Sequence, residues 1–169
     1  MKNKKQTEIF MRNFIFGVED SLVSTVGLLS GIAVAGLTKT DIFLTGIVLI
    51  FVEAFSMGVG SFLSEDTTED LVTKKIAHKI SILGAIIMFV SYFLAGLVPL
   101  SPYIFFEVKN AFLSSNAFAL VALFLLGAVS AMKYGRSAVK LGTKMFVMGG
   151  FAIVVGIIVG RIVQAIIIR

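Results

Sequence analysis

The chain has no cysteine, no tryptophan, one histidine and two prolines in 169 residues. Without cysteine there are no disulfides, no thiolate metal sites and no cysteine nucleophile. A lone histidine, His78, rules out a multi-histidine metal site within one chain. Charge is also scarce, at 15% of residues. The net charge of +5 is spread between apolar runs rather than gathered on a soluble patch, so nucleic acid is not an expected partner. No cluster of polar catalytic residues is present, so an enzyme is not expected, nor is a resident cofactor.

What is abundant is apolar. Hydrophobic residues make up 57% of the chain, with a mean hydropathy of +1.00. A soluble domain of this length could not enclose so much apolar surface, so the class is an integral membrane protein with a single domain, residues 1–169. Five segments are long enough to cross a bilayer, which takes about 20 apolar residues. They run Asn13 to Leu37, Asp41 to Ser64, Ile80 to Leu100, Ala111 to Met132 and Met145 to Ile168. Backbone polar groups in lipid must be satisfied within the segment, so the spans are helices and the fold class is all-α. The basic N-terminus looks like the start of a signal peptide. The apolar stretch after it is too long and carries two acids, so it reads as an uncleaved first span.

With the N-terminus inside, the inner segments carry Lys2, Lys4, Lys5, Arg12, Lys74, Lys75, Lys79, Lys133, Arg136, Lys140 and Lys144. The outer ones carry Lys39, Lys109 and Arg169. That imbalance predicts a cytosolic N-terminus and, after five spans, an external C-terminus. "TKTD" reads as a tight hairpin joining the first two spans, and "SPYIFFEVKN" as an interfacial outer loop, with Pro99 and Pro102 ending the third helix.

Four ionisable residues lie well inside the spans: Glu19, Asp20, Glu53 and Arg161. Each charge at mid-bilayer costs about 2.5 to 3.5 kcal/mol, so three carboxylates facing lipid would cost roughly 8 to 10 kcal/mol. They must face a cavity, hold a cation or stay protonated. At about 1.5 Å per residue, Asp20 lies roughly 9 Å in from the inner face, Met57 roughly 10 Å and Glu53 roughly 16 Å. Met57 and Glu53 are four residues apart and share a helix face. A carboxylate, a thioether and a second carboxylate thus form a ladder.

Carboxylates alone suit Mg²⁺, Ca²⁺ or Mn²⁺, and a thioether shifts preference toward softer metals such as Fe²⁺. The same acids could take protons when the metal leaves. Methionine is also an ordinary gap-filler, and that reading stands beside the ligand one. Glu19 points about 100° away from Asp20. It is a secondary candidate, facing either a dimer partner or the cytosolic vestibule. Arg161 reads as an arginine snorkelling to the outer surface.

In "SEDTTED", Glu65 and Glu69 would stack four residues apart if the second helix continues into the cytosol, and could gather cations. The competing reading is a solvated turn, with Asp66 or Thr67 capping the next helix. The pairs Gly27 and Gly31, Ser56 and Gly60, and Gly156 and Gly160 are each four apart. Small residues at this spacing let helices approach closely, within one chain or across a dimer seam.

"RNFIFGVEDSLVSTVGLLSGIAVAG", "EAFSMGVGSFLS" and "LFLLGAVSAMKYGRSAVKLG" leading into "GGFAIVVGIIVGRIV" together resemble the vacuolar iron transporter family across nearly the whole chain. The resemblance implies five helices, a homodimer, and export of Fe²⁺ or Mn²⁺ from the cytosol in exchange for protons. It places Asp20 and Met57 on a translocation path at the dimer interface, with Glu53 matching an acid that precedes the methionine in bacterial-type members. Glu19-Asp20-Ser21 stands where relatives often show Asn-Asp-Gly, and Ser61 where many show glutamate. Only "EDTTEDLVTKK" stands where fuller members carry a cytosolic metal-binding domain, so the chain resembles the short branch of the family. The expected setting is a prokaryotic plasma membrane. Two other readings are a cation or small-solute transporter in which Met57 has no metal role, and a non-transporting scaffold or regulatory subunit.

Overall fold

A computed structural model describes residues 2–68 and 74–167. Glu69, Asp70 and Arg169 lie outside the described residues. The described elements are all helical: α1 (Lys2–Val34), α2 (Lys39–Thr68), α3 (Lys74–Leu100), the short α4 (Pro102–Phe105), α5 (Val108–Lys133) and α6 (Ala138–Ile167). Five of them are long and apolar enough to span a membrane.

The helices run past the apolar segments at several ends. The N-terminal "KNKKQTE" is made largely of good helix formers, so α1 begins well before its apolar part. It then stops at Val34, short of the predicted Leu37, in a left-handed turn. Gly36 has φ +87°, Gly36 N–H donates to Ala33 O at 3.2 Å, and Leu37 N–H donates to Ile32 O at 3.3 Å. This pairing is the Schellman arrangement, which glycine permits without steric penalty. The same device ends α5, where Gly135 has φ +63° and Arg136 N–H donates to Ala131 O at 2.8 Å.

"TKTD" is therefore not the hairpin itself. Thr38 caps α2, its Oγ1 accepting the Asp41 N–H at 3.3 Å, and Lys39 already lies in the first turn. The expected interfacial loop is also more built than its composition suggests. Pro99 sits inside the last turn of α3, Pro102 opens α4, and α4 inserts Tyr103 beside Leu29, Ile42, Ile50 and Leu100.

α1 is the central helix. Buried residues make up 44% of its most apolar stretch, against 17% for α6. Its inward face carries Asn13, Ser21, Thr25 and Ser30, all buried. Hydroxyls tie it to its neighbours. Ser21 Oγ donates to Tyr92 O on α3 at 2.6 Å, and Ser30 Oγ donates to Asn116 Oδ1 on α5 at 2.8 Å. Such bonds hold membrane helices together where water-driven apolar burial is weak. α1 packs mainly against α3 and α6, and α2 mainly against α3, so α1 and α2 touch over a shorter stretch.

The glycine pairs divide. Gly27 and Gly31 pack against Gly156 and Gly160 of α6 within the chain, and a Cβ at Gly31 would stand 2.8 Å from Gly156 O. Gly60 is exposed, with nothing within 4 Å of where a Cβ would be.

One end of the bundle gathers polar contacts. Arg12 pairs with Glu65 at 3.0 Å, His78 Nδ1 lies 3.1 Å from Asp66 Oδ1, and Lys133 Nζ is 3.0 Å from Met11 Sδ. The starts of α1, α3 and α6 and the ends of α2 and α5 thus share one rim. α2 runs through Asp66 and Thr67, so neither caps α3 at a turn there.

Candidate functional site

Two ties set the alignment of α1 against α2. Near the rim, Asn13 Nδ2 donates to Ser61 Oγ at 2.8 Å. Eleven residues deeper along α1, Ser24 Oγ donates to Glu53 Oε2 at 3.1 Å. Counting along the antiparallel helices from either tie puts Asp20 level with the turn Ala54 to Met57. Asp20 and Ser24 share one face of α1, and Glu53 and Met57 one face of α2.

Glu53 stands at the meeting of three helices. Its Oε2 accepts hydrogen bonds from Ser24 on α1 and from the Tyr92 hydroxyl on α3, and those two hydroxyls are 2.7 Å apart. Tyr92 is fully buried. Among the described residues Glu53 Oε1 has no hydrogen-bond partner, and Asp20 has neither a hydrogen bond nor an ion pair. The two carboxylates lie close enough for their negative charges to act on each other. Both are half-buried, as is Met57, while Val52, Ser56 and Gly60 on α2 are exposed. The acids therefore sit on a side that a single chain leaves open.

This arrangement holds three acidic oxygens, both Oδ atoms of Asp20 and Glu53 Oε1, with no basic side chain paired to them among the described residues. The only ion pairs among the described residues are Arg12 with Glu65 and His78 with Asp66. No group of three or more acidic, histidine or cysteine residues gathers among the described residues. A bound divalent ion would draw its remaining donors from Met57, Ser24, water or a second copy of the chain.

The secondary candidates lie elsewhere. Glu19, on another face of α1, is within electrostatic reach of Asp20 and, less strongly, of Lys144 on α6. Glu65 is not presented to solvent as a capture ligand. It is 6% exposed, and its Oε1 accepts from Arg12 at 3.0 Å and Asn13 at 2.9 Å. Gly84 of α3 makes room for it, since a Cβ there would come within 2.6 Å of Glu65 Oε2. Glu65 thus ties α1 to α2 at the rim. Its expected partner in capture, Glu69, lies outside the described residues. Arg161 is exposed on α6, as a snorkelling side chain requires.

A family model, that of the VIT family, matches residues 11–83 and 77–161, which reaches into all five spans. The chain belongs to the VIT family, the vacuolar iron transporters. No curated protein matches it. Members of the family are transporters rather than enzymes, and membership makes this VIT protein a multi-pass membrane transporter of metal ions.

Two residues of the site escaped sequence reasoning. Ser24 carried a usable signal, being a polar residue four positions from Asp20 in an apolar span. Tyr92 carried none, because only the packing of α3 brings it to Glu53. Tyr92→Phe removes one hydroxyl and keeps the ring. A hydrogen bond to a charged group contributes about 1.5 to 3 kcal/mol. The variant is therefore expected to fold and to lose about 10-fold in metal affinity. Parental metal dependence in a transport assay would show that the hydroxyl does not position Glu53.

Proposed function

We propose that this VIT protein exports Fe²⁺ or Mn²⁺ from the cytosol in exchange for protons, along a path between α1 and α2 at a homodimer interface. The observation that carries this reading is the pair Asp20 and Glu53. They are two carboxylates in membrane spans, within electrostatic reach of each other and without a basic partner among the described residues. Leaving two such acids uncompensated is costly in lipid, and a transported cation or proton removes the cost.

Asp20 and Met57 bind the metal, and Glu53, held by Ser24 and Tyr92, passes metal or protons. A second copy facing the open side of α1 and α2 supplies the donors that one chain lacks. An apolar groove of 530 Å³ continues along α1 from Ser24 past Leu28 to Leu37, walled by Val155 and Val159 of α6, and offers that copy further surface. With the N-terminus in the cytosol, the polar rim faces the metal supply. The setting is the plasma membrane of a prokaryote.

Proteoliposomes test the reading directly. Fe²⁺ and Mn²⁺ uptake is expected to rise when the lumen is made acidic and to return to baseline with a protonophore. Absence of flux under either gradient would favour a non-transporting subunit. Met57→Leu keeps the volume of the side chain but removes the thioether. It is expected to lower Fe²⁺ flux about 10-fold, as loss of a contributor to a metal site does. Unchanged flux would leave Met57 as packing alone.

A further inference from the structure

The rim holds a second charged feature that the transport path does not use. Arg136, Lys140 and Lys144 recur at four-residue intervals through the α5–α6 turn and the first two turns of α6. With Ser137 and Leu141 they line a single cavity of 380 Å³. None of the three cations is in an ion pair among the described residues, where the pairs are Arg12 with Glu65 and His78 with Asp66. Lys144 is within electrostatic reach of the Glu19 carboxylate. Among the described residues, then, no carboxylate forms an ion pair with this group of positive charges.

We propose that this cavity binds the phosphate group of an anionic phospholipid. One arginine and two lysines lining a single concavity suit a phosphate oxyanion, since arginine offers paired donors and lysine point charge. Ser137 adds a hydroxyl to the wall, and the positive end of the α6 dipole adds to the same potential. Location selects the lipid as the source. The cavity opens where α5 and α6 leave the bilayer, and Met132, Tyr134 and Val139 around it are 63%, 55% and 68% exposed. Exposed apolar and aromatic side chains beside cations are suited to a molecule with acyl chains and a charged head, and basic pockets on this rim of membrane bundles take anionic headgroups.

Native mass spectrometry of the purified full chain tests this, with phosphatidylglycerol, phosphatidylcholine and inorganic phosphate as probes. The parent is expected to retain phosphatidylglycerol and to shed phosphatidylcholine. Inorganic phosphate at matched ionic strength is expected to displace nothing. R136Q/K140Q is expected to lower phosphatidylglycerol retention about 10-fold, and the charge-keeping R136K/K140R to restore most of it. Equal retention of both lipids by the parent would overturn the proposal, as would parental phosphatidylglycerol retention by R136Q/K140Q. Displacement by inorganic phosphate would overturn the lipid assignment in favour of a free-phosphate site. Should R136Q/K140Q fail to fold, Lys140→Gln against Lys140→Arg decides by the same readout.

Discussion

Asp20→Asn is expected to reduce metal flux in proteoliposomes by about 100-fold or more while leaving the protein at least as stable as its parent. The two effects have opposite signs because they come from one charge. Asparagine keeps the size of aspartate and one accepting oxygen, puts an NH2 donor in place of the other, and removes the negative charge. In the resting chain that charge has no hydrogen bond or ion pair from the described residues and lies within reach of a second carboxylate, Glu53. Removing it relieves repulsion and part of a membrane cost of about 2.5 to 3.5 kcal/mol, the polar amide keeping the rest. On the proposed path the same charge would be a ligand to the metal. Unit charges about 4 Å apart attract by about 4 kcal/mol at an effective dielectric of about 20. Two-thirds of that is already a factor of about 100 in affinity.

Thermal unfolding in detergent and flux in liposomes read the two effects separately. Glu19→Gln serves as the comparison, because Glu19 is on another face of α1 from Asp20 and has Lys144 of α6 within electrostatic reach, and its flux is expected to stay within a few-fold of the parent. Asp20→Asn protein that transports like its parent would remove Asp20 from the path and with it the proposed ladder.

Gly156→Ala should show the largest loss of stability of any single-methyl addition in the chain. The β-carbon would run into the carbonyl oxygen of Gly27 on α1, and one at Gly160 would meet the carbonyl of Gly31 in the same way. The obstacle is backbone, which has no rotamer to swing aside, so α1 and α6 must separate along their whole seam. Overpacking against side chains costs about 1 to 3 kcal/mol. Against a helix backbone the expected loss is at the upper end of that range or beyond. Size-exclusion recovery after a heat step measures it. Gly60→Ala is the contrast. Its methyl meets nothing within 4 Å in the single chain, so the monomer should be at least as stable as its parent. Equal thermal recovery for Gly156→Ala and the parent would contradict the close α1–α6 contact.

The outcome for the acids shows what a linear pattern can and cannot carry. Asp20 and Glu53 stood out because ionisable groups are rare in apolar runs, and counting 1.5 Å per residue was enough to put Asp20 near the level of Met57. The same counting could not tell which face of α2 turns toward α1. Glu65 shows this from the other side. Its place among four acids suggested an open capture site, yet its side chain turns inward to Arg12 and Asn13. Neither partner is near it in sequence, so no spacing rule would have paired them.

From its composition alone the chain determined its class: too much apolar surface for water, five runs of bilayer length, and therefore helices, since lipid leaves a backbone no other way to satisfy its polar groups. The glycines that end α1 and α5 were also local facts, because a left-handed turn needs only its own residue and the few before it. Tertiary structure alone decided that α1 is central and that the glycine pairs of α1 and α6 close on each other inside one chain. It also decided that Tyr92 of α3 reaches Glu53 of α2. Those are choices of partner. Partners far apart in sequence are selected by which faces fit together, a property of assembled surfaces that a string of residues does not display.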